Sequence, residues 1–171
     1  YNNYDFIIKN VNSDTDNSNN YKDDENYYLS GLFQFNSALP LIKEKNDNLH
    51  IIKPKLALKI SPNFMKDLSD SDGNRLDVDN IFNINRLAEN ETLEGGTSLT
   101  LGGDFIVSNK KNNNELFGIK IANNLRLEEN DDLPKNNQLN AKNSNFFGEI
   151  SYSPNDIITT KYNASTKNNL T

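Results

Sequence analysis

Hydrophobic and polar residues alternate one by one along His50–Ile60, HIIKPKLALKI. Ile52, Pro54, Leu56, Leu58 and Ile60 fall on one side of an extended chain, and Lys53, Lys55, Ala57 and Lys59 on the other. Successive side chains of a strand point to opposite faces, so a period of two predicts a strand with one apolar and one mostly cationic face. On a helix the same lysines would scatter around the axis.

The pattern recurs along the chain. Tyr4, Phe6 and Ile8 alternate with Asp5, Ile7 and Lys9. Leu29–Leu41 places Phe33, Phe35, Leu39 and Leu41 on one side and Ser30, Gln34 and Asn36 on the other. Thr97–Ser108, Glu115–Leu127, Phe146–Tyr152 and Ile158–Thr166 repeat it, which makes about seven strands with the one above. Between them lie polar connections of two kinds. Residues 11–26, 61–96 and 128–143 are long; residues 43–48, 109–114 and 153–156 are short. Long and short alternate. In an antiparallel meander successive connections lie at opposite ends, so all long loops gather at one end and all short turns at the other. Outer-membrane β-barrels show this asymmetry. Strands of ~9–11 residues also suit a tilted crossing of the hydrocarbon layer, whereas soluble strands cluster near ~5–6. Asp77–Leu87, DVDNIFNINRL, is expected to form a helical turn or irregular segment that packs on something through Ile81, Phe82 and Ile84.

Composition changes the picture only in part. Of 171 residues, 35% are hydrophobic, the net charge is -6, and Asn makes up roughly one residue in five. Spread evenly, such a composition would describe a disordered chain. Here the apolar residues concentrate in the alternating runs. Cysteine is absent and His50 is the single histidine, which excludes disulfides, Cys-based metal sites and His-based triads. No apolar run is long enough for a transmembrane helix. The chain starts in mid-pattern without Met, so it is expected to be a fragment of a longer chain: residues 1–171 as one partial barrel, with no second domain.

Candidate chemistry is sparse. Neither a nucleophile elbow nor a phosphate-binding glycine loop is present, so neither an enzyme nor a cofactor is expected. Negative charge argues against nucleic acid. Asp70–Asp79, DSDGNRLDVD, resembles a calcium loop, but the twelfth position from Asp70 is Ile81 and not Glu, so a solvated loop is the expectation. Lys53, Lys55, Lys59, Lys120 and Arg126 are candidates for a basic, lumen-facing wall. Arg86 is expected to pair with Glu91 or Glu94, and Gly102 and Gly103 inside a strand suggest a bend or a close backbone approach.

At Asn80–Gly102 the chain reads NIFNINRLAENETLEGGTSLTLG. This stretch resembles the C-terminal barrel of the LptD family, the lipopolysaccharide-assembly proteins of the outer membrane. The resemblance is carried by Phe82, Asn85, Arg86, Leu87, Glu91, Leu93, Glu94, Gly95 and Gly102, with Glu91 where Asp is usual. The segments 39–63 and 146–165 are similar to its flanking Pro-bearing strand and Pro-turn hairpin. The resemblance implies an all-β, antiparallel up-and-down meander, a section of a large transmembrane outer-membrane β-barrel in Gram-negative bacteria. It implies a part in the translocon that inserts lipopolysaccharide into the outer leaflet. The implied partners are lipopolysaccharide, a plug lipoprotein of the LptE type, periplasmic bridge proteins acting through an N-terminal domain, and membrane lipid. A porin-like channel and a soluble β-sandwich binding module are the alternative readings.

Overall fold

The computed structural model describes residues 2–11, 28–87, 93–155 and 157–167; for 2–11, 28–30 and 137 only the backbone is described. The strands are β1 (Asn2–Val11), β2 (Tyr28–Ala38), β3 (Leu41–Lys45), β4 (Asn48–Ile60), β5 (Ser98–Asn109), β6 (Glu115–Arg126), β7 (Phe146–Tyr152) and β8 (Thr160–Thr166). They form one open antiparallel sheet in the order β1-β2-β4-β5-β6-β7-β8, with β3 also paired to β4. The described helical structure is two single 3-10 turns, Asn80–Phe82 and Asn136–Gln138.

Eight strands stand where seven were expected, because Leu29–Leu41 continues further and is nicked. Ala38 faces Lys55 and Leu41 faces Ile52, so Leu39 and Pro40 span the gap with no residue gained or lost. The Leu39 N–H donates to the Pro54 carbonyl at 3.1 Å, but Pro54 has no N–H to return the bond. β2 and β3 are thus one hairpin arm with a weakened rung. The expected 43–48 turn shrinks to Asn46–Asp47, with Asn46 in the left-handed region at φ 55. Lys43 and Glu44 can sit in β3 because that strand is exposed along its whole length.

The short connections Asn46–Asp47, 110–114 and 153–159 lie at one end, and the long ones, 61–97 and 127–145, at the other. The expected 11–26 loop lies outside the described residues from 12 to 27.

Along β2 and β4–β7 the strand pattern resolves into two faces, and burial is inverted relative to a soluble sheet. Ile52, Ile60, Leu101, Ile119, Ile121, Phe146, Ile150 and Tyr162 are exposed. Gln34, Lys59, Ser98, Thr100, Asp104, Asn124, Arg126 and Glu149 are buried. The core sits on the polar side. It is built mostly from the long loops, by Leu68, Leu76, Val78, Ile81, Leu87, Leu133 and Leu139, with Ala122 and Phe147 from the sheet. The two loops are tied to each other: Leu68 N–H donates to the Asp132 carbonyl at 2.7 Å, and the Asn136 amide to the Asp72 carbonyl at 2.9 Å. Polar side chains therefore face a packed cover and not open water.

Candidate functional site

The polar face of β4–β6 holds the segment 61–97 by two anchors. The first is buried. Glu94 accepts from Arg86 Nε at 2.7 Å and Nη2 at 2.5 Å, from Lys59 Nζ at 3.0 Å and from Arg126 Nη1 at 2.8 Å. Three cations meet one carboxylate. Further donors reach neutral oxygens: Arg86 Nη1 reaches Thr100 Oγ1 at 3.1 Å and Asn124 Oδ1 at 2.9 Å, Nη2 reaches Ser98 Oγ at 3.1 Å, and Lys59 reaches the Ile84 carbonyl at 3.2 Å, whereas the buried Arg126 Nε has no hydrogen-bond partner among the described residues. Arg126 also donates to the Gly95 carbonyl. Bidentate Arg–carboxylate geometry gives the anchor direction as well as strength. Burial pushes the Glu94 carboxyl up, but Arg86, then Lys59 and Arg126, hold it well below the usual carboxylate range.

Phe82 belongs to the same docking. A Cβ added at Gly102 would lie 2.7 Å from Phe82 Cζ and 2.6 Å from the Ile121 carbonyl, so only glycine admits the ring here. The Phe82 carbonyl accepts from Gln34 Nε2 at 2.7 Å, and Lys55 Nζ stands 4.9 Å from the ring centroid. Gly96, at φ 87, takes the left-handed conformation beside Arg126.

The second anchor is at the surface. In register, Lys53, Asp104, Lys120, Glu149 and Asn163 form one row across β4–β8. Lys55 pairs with Asp104 at 2.8 Å and Lys120 with Glu149 at 3.1 Å. Asp79, from the loop, reaches Lys120 at 3.0 Å and Lys55 at 3.9 Å, with its own side chain 60% exposed.

The five basic residues marked in the sequence thus share one face, but they do not form a cationic wall. Lys59 and Arg126 close on Glu94; Lys55 and Lys120 are matched by carboxylates; Lys53 carries no ion pair among the described residues. Of the motif residues, Phe82, Arg86, Glu94, Gly95 and Gly102 come together, whereas Asn85 is exposed and outside the network. Arg86 takes Glu94; Glu91 lies outside the described residues. The acids of Asp70–Asp79 are partly spent on local structure, Asp77 Oδ1 accepting from the N–H groups of Asp79 and Asn80 at 2.9 and 2.8 Å. Among the described residues no group of His, Asp or Glu could hold a metal ion.

Sequence reasoning missed Asp79, Asp104, Glu149, Ser98, Thr100, Asn124 and Gln34. All but Asp79 occupy the polar positions of strands that period-two alternation had already defined, so that alternation was the available signal.

The LptD family, described as LPS transport system D, matches residues 3–166. The chain belongs to that family. LptD proteins are outer-membrane proteins that take part in lipopolysaccharide transport. The LptD match fits an all-β antiparallel meander with its apolar face outward, a section of a β-barrel. Among the described residues no helix is long and apolar enough to cross a membrane, which says nothing of crossing by strands. No curated protein and no solved structure matches this LptD-family chain.

Proposed function

We propose that residues 1–171 are one wall section, without a second domain, of the outer-membrane translocon that delivers lipopolysaccharide to the outer leaflet. The observation that carries the reading is the inverted sheet: apolar side chains are exposed along β4–β7 while charged and amide side chains are buried on the opposite face. Hydrocarbon is the solvent in which the exposed face costs nothing. A polar inner face is what an amphipathic glycolipid needs to carry its sugars past that hydrocarbon. The chemistry is physical transfer and not bond-making. The parent chain would recruit a plug lipoprotein and the periplasmic bridge proteins through parts other than this sheet.

The test uses the full-length parent protein in outer membranes. A photoreactive amino acid replaces Lys53 on the polar face or Ile121 on the apolar face. Adducts carrying lipopolysaccharide at 53 and phospholipid or outer-leaflet lipid at 121 are expected. Phospholipid adducts at 53 as at 121, or no adduct at either position, would remove the two-faced wall on which the reading stands.

A further inference from the structure

The two anchors of segment 61–97 differ in kind, and the difference assigns a role to Asp79. Glu94 is 3% exposed in its side chain and bound by three cations, so it cannot be exchanged without opening the core. The Asp79 side chain is 60% exposed and its carboxylate is held by ion pairs to Lys120 and Lys55, while its backbone N–H donates to Asp77 Oδ1. Ion pairs of that kind are weak in water and exchange readily. Lys55 and Lys120, the cations it meets, are only 14% and 15% exposed, so their positions are fixed by the wall.

Each of the two lysines that Asp79 meets has a strand carboxylate of its own: Lys55 has Asp104 and Lys120 has Glu149. Lys53, directly opposite Asp104 in the register, adds a further positive charge with no ion pair among the described residues. Asp79 is therefore a third carboxylate on a patch where two strand carboxylates face three lysines. Its two oxygens sit where the oxygens of another small tetrahedral or planar anion would sit, against ammonium groups brought to within 3.0 and 3.9 Å of the same carboxylate.

We propose that Lys55 and Lys120 form a seat for a phosphate monoester on a phosphorylated glycolipid, and that Asp79 fills this seat until the phosphate displaces it. The inference rests on the lipopolysaccharide reading above and names the part of the ligand that the wall recognises. A phosphate monoester brings a charge of about -1.5 to -2 at pH 7 and three acceptor oxygens, against one charge and two oxygens for Asp79, so the exchange favours the ligand. When the phosphate leaves, Asp79 returns and the ligand is not retained. Weak, self-competed binding is what a transit site requires, because a tight seat would trap its cargo.

The test is equilibrium binding to the full-length parent protein in detergent. The probes are a bisphosphorylated glucosamine disaccharide lipid, the same lipid with both phosphates removed, and inorganic phosphate. Asp79→Asn is expected to tighten binding of the phosphorylated lipid by up to about fivefold, the factor that an exposed ion pair carries, and to leave the dephosphorylated lipid unchanged. Lys120→Gln is expected to weaken the phosphorylated lipid selectively, and Lys120→Arg to restore it. Inorganic phosphate is expected to compete only at far higher concentration than the lipid. Unchanged or weaker binding in Asp79→Asn overturns the exchange, as does an equal response of both lipids. Tight, Asp79-sensitive binding of inorganic phosphate without the lipid overturns the glycolipid as its source. If neither lipid binds the parent protein at all, the lipopolysaccharide reading itself fails, and the seat with it. A nitroxide at Asn83 gives a second, fold-independent readout: the phosphorylated lipid raises its mobility in the wild type, and an unmoved spectrum under saturating lipid counts against displacement.

Discussion

At the scale of single residues, Glu94 decides whether segment 61–97 stays on the wall. Breaking a buried ion pair by removing one partner costs about 3–5 kcal/mol, since the remaining charges stay desolvated. Glu94→Gln leaves Lys59, Arg86 and Arg126 without their common carboxylate. We expect a loss of that size, read as accelerated proteolysis within 61–97 with the strands retained. The same group sets an acid limit. Its folded-state pKa lies below that of the unfolded chain, near ~4.3, so its stabilisation is complete above that value and drains away as the pH falls through and below it. As the pH falls towards 3 the Glu94 contribution is lost and the docking loosens. Hydrogen exchange of the segment against pH checks this, and in Glu94→Gln that part of the acid response is absent. Gly102 gives a steric counterpart. Gly102→Ala sets a methyl within 2.7 Å of Phe82 and 2.6 Å of a backbone carbonyl, while at Gly103 the nearest atom is 3.9 Å away. Overpacking of this sort costs about 1–3 kcal/mol. Gly102→Ala is expected to lower the melting temperature and Gly103→Ala to leave it nearly unchanged; equal effects would mean that Phe82 does not sit where the geometry puts it.

At the scale of elements, β4–β7 each present an exposed apolar face on one side and a polar face to the packed loops on the other. A charge on the apolar face of a membrane strand costs about 2–4 kcal/mol at mid-depth and little near the interfaces. Ile121 is 61% exposed on that face of β6, so Ile121→Arg is expected to impair assembly into the outer membrane, whereas Asn123→Arg, nearer the loop end of the same face, costs less. The comparison is made by heat-modifiable migration of the folded protein. These faces were legible in the sequence because a period of two survives any loop chemistry: Ile52 to Ile60 and Leu99 to Leu101 declare their side by spacing alone. The nick at Pro40 was not, because alternation runs through it unbroken and only the missing N–H of Pro54 reveals the weak rung. The loop docking was still less legible. Leu68, Leu76, Val78, Ile81 and Leu87 follow no period, and the partners of Arg86 and Glu94 lie far away in the chain, at Asn124, Arg126 and Lys59. The motif around Arg86 marked the region, but its chemistry, a clamp between loop and wall, required the third dimension.

At the scale of the whole molecule, apolar surface lies on both sides of the sheet for different reasons. On the loop side it is covered by the chain itself and makes a core. On the other side Ile52, Ile60, Leu101, Ile121, Ile150 and Tyr162 form a broad uncovered band, and β1 and β8 leave their outer edges unpaired among the described residues. An exposed apolar face with two free strand edges is a template for aggregation in water. Neither defect belongs to the loop-side core, so that core cannot cure them. The 171-residue chain alone is therefore expected to precipitate from aqueous buffer yet remain dispersed in detergent, with its strand content intact and segment 61–87 protected from protease. Sedimentation with and without detergent, followed by proteolysis of the dispersed form, separates the possible explanations. Precipitation in both media would point to the edges, which detergent does not pair. Dispersion only in detergent would point to the apolar band, whose proper solvent is hydrocarbon. A soluble, monodisperse chain in plain buffer would mean that the band is covered by a rearranged packing, and the membrane-facing assignment of β4–β8 would fall.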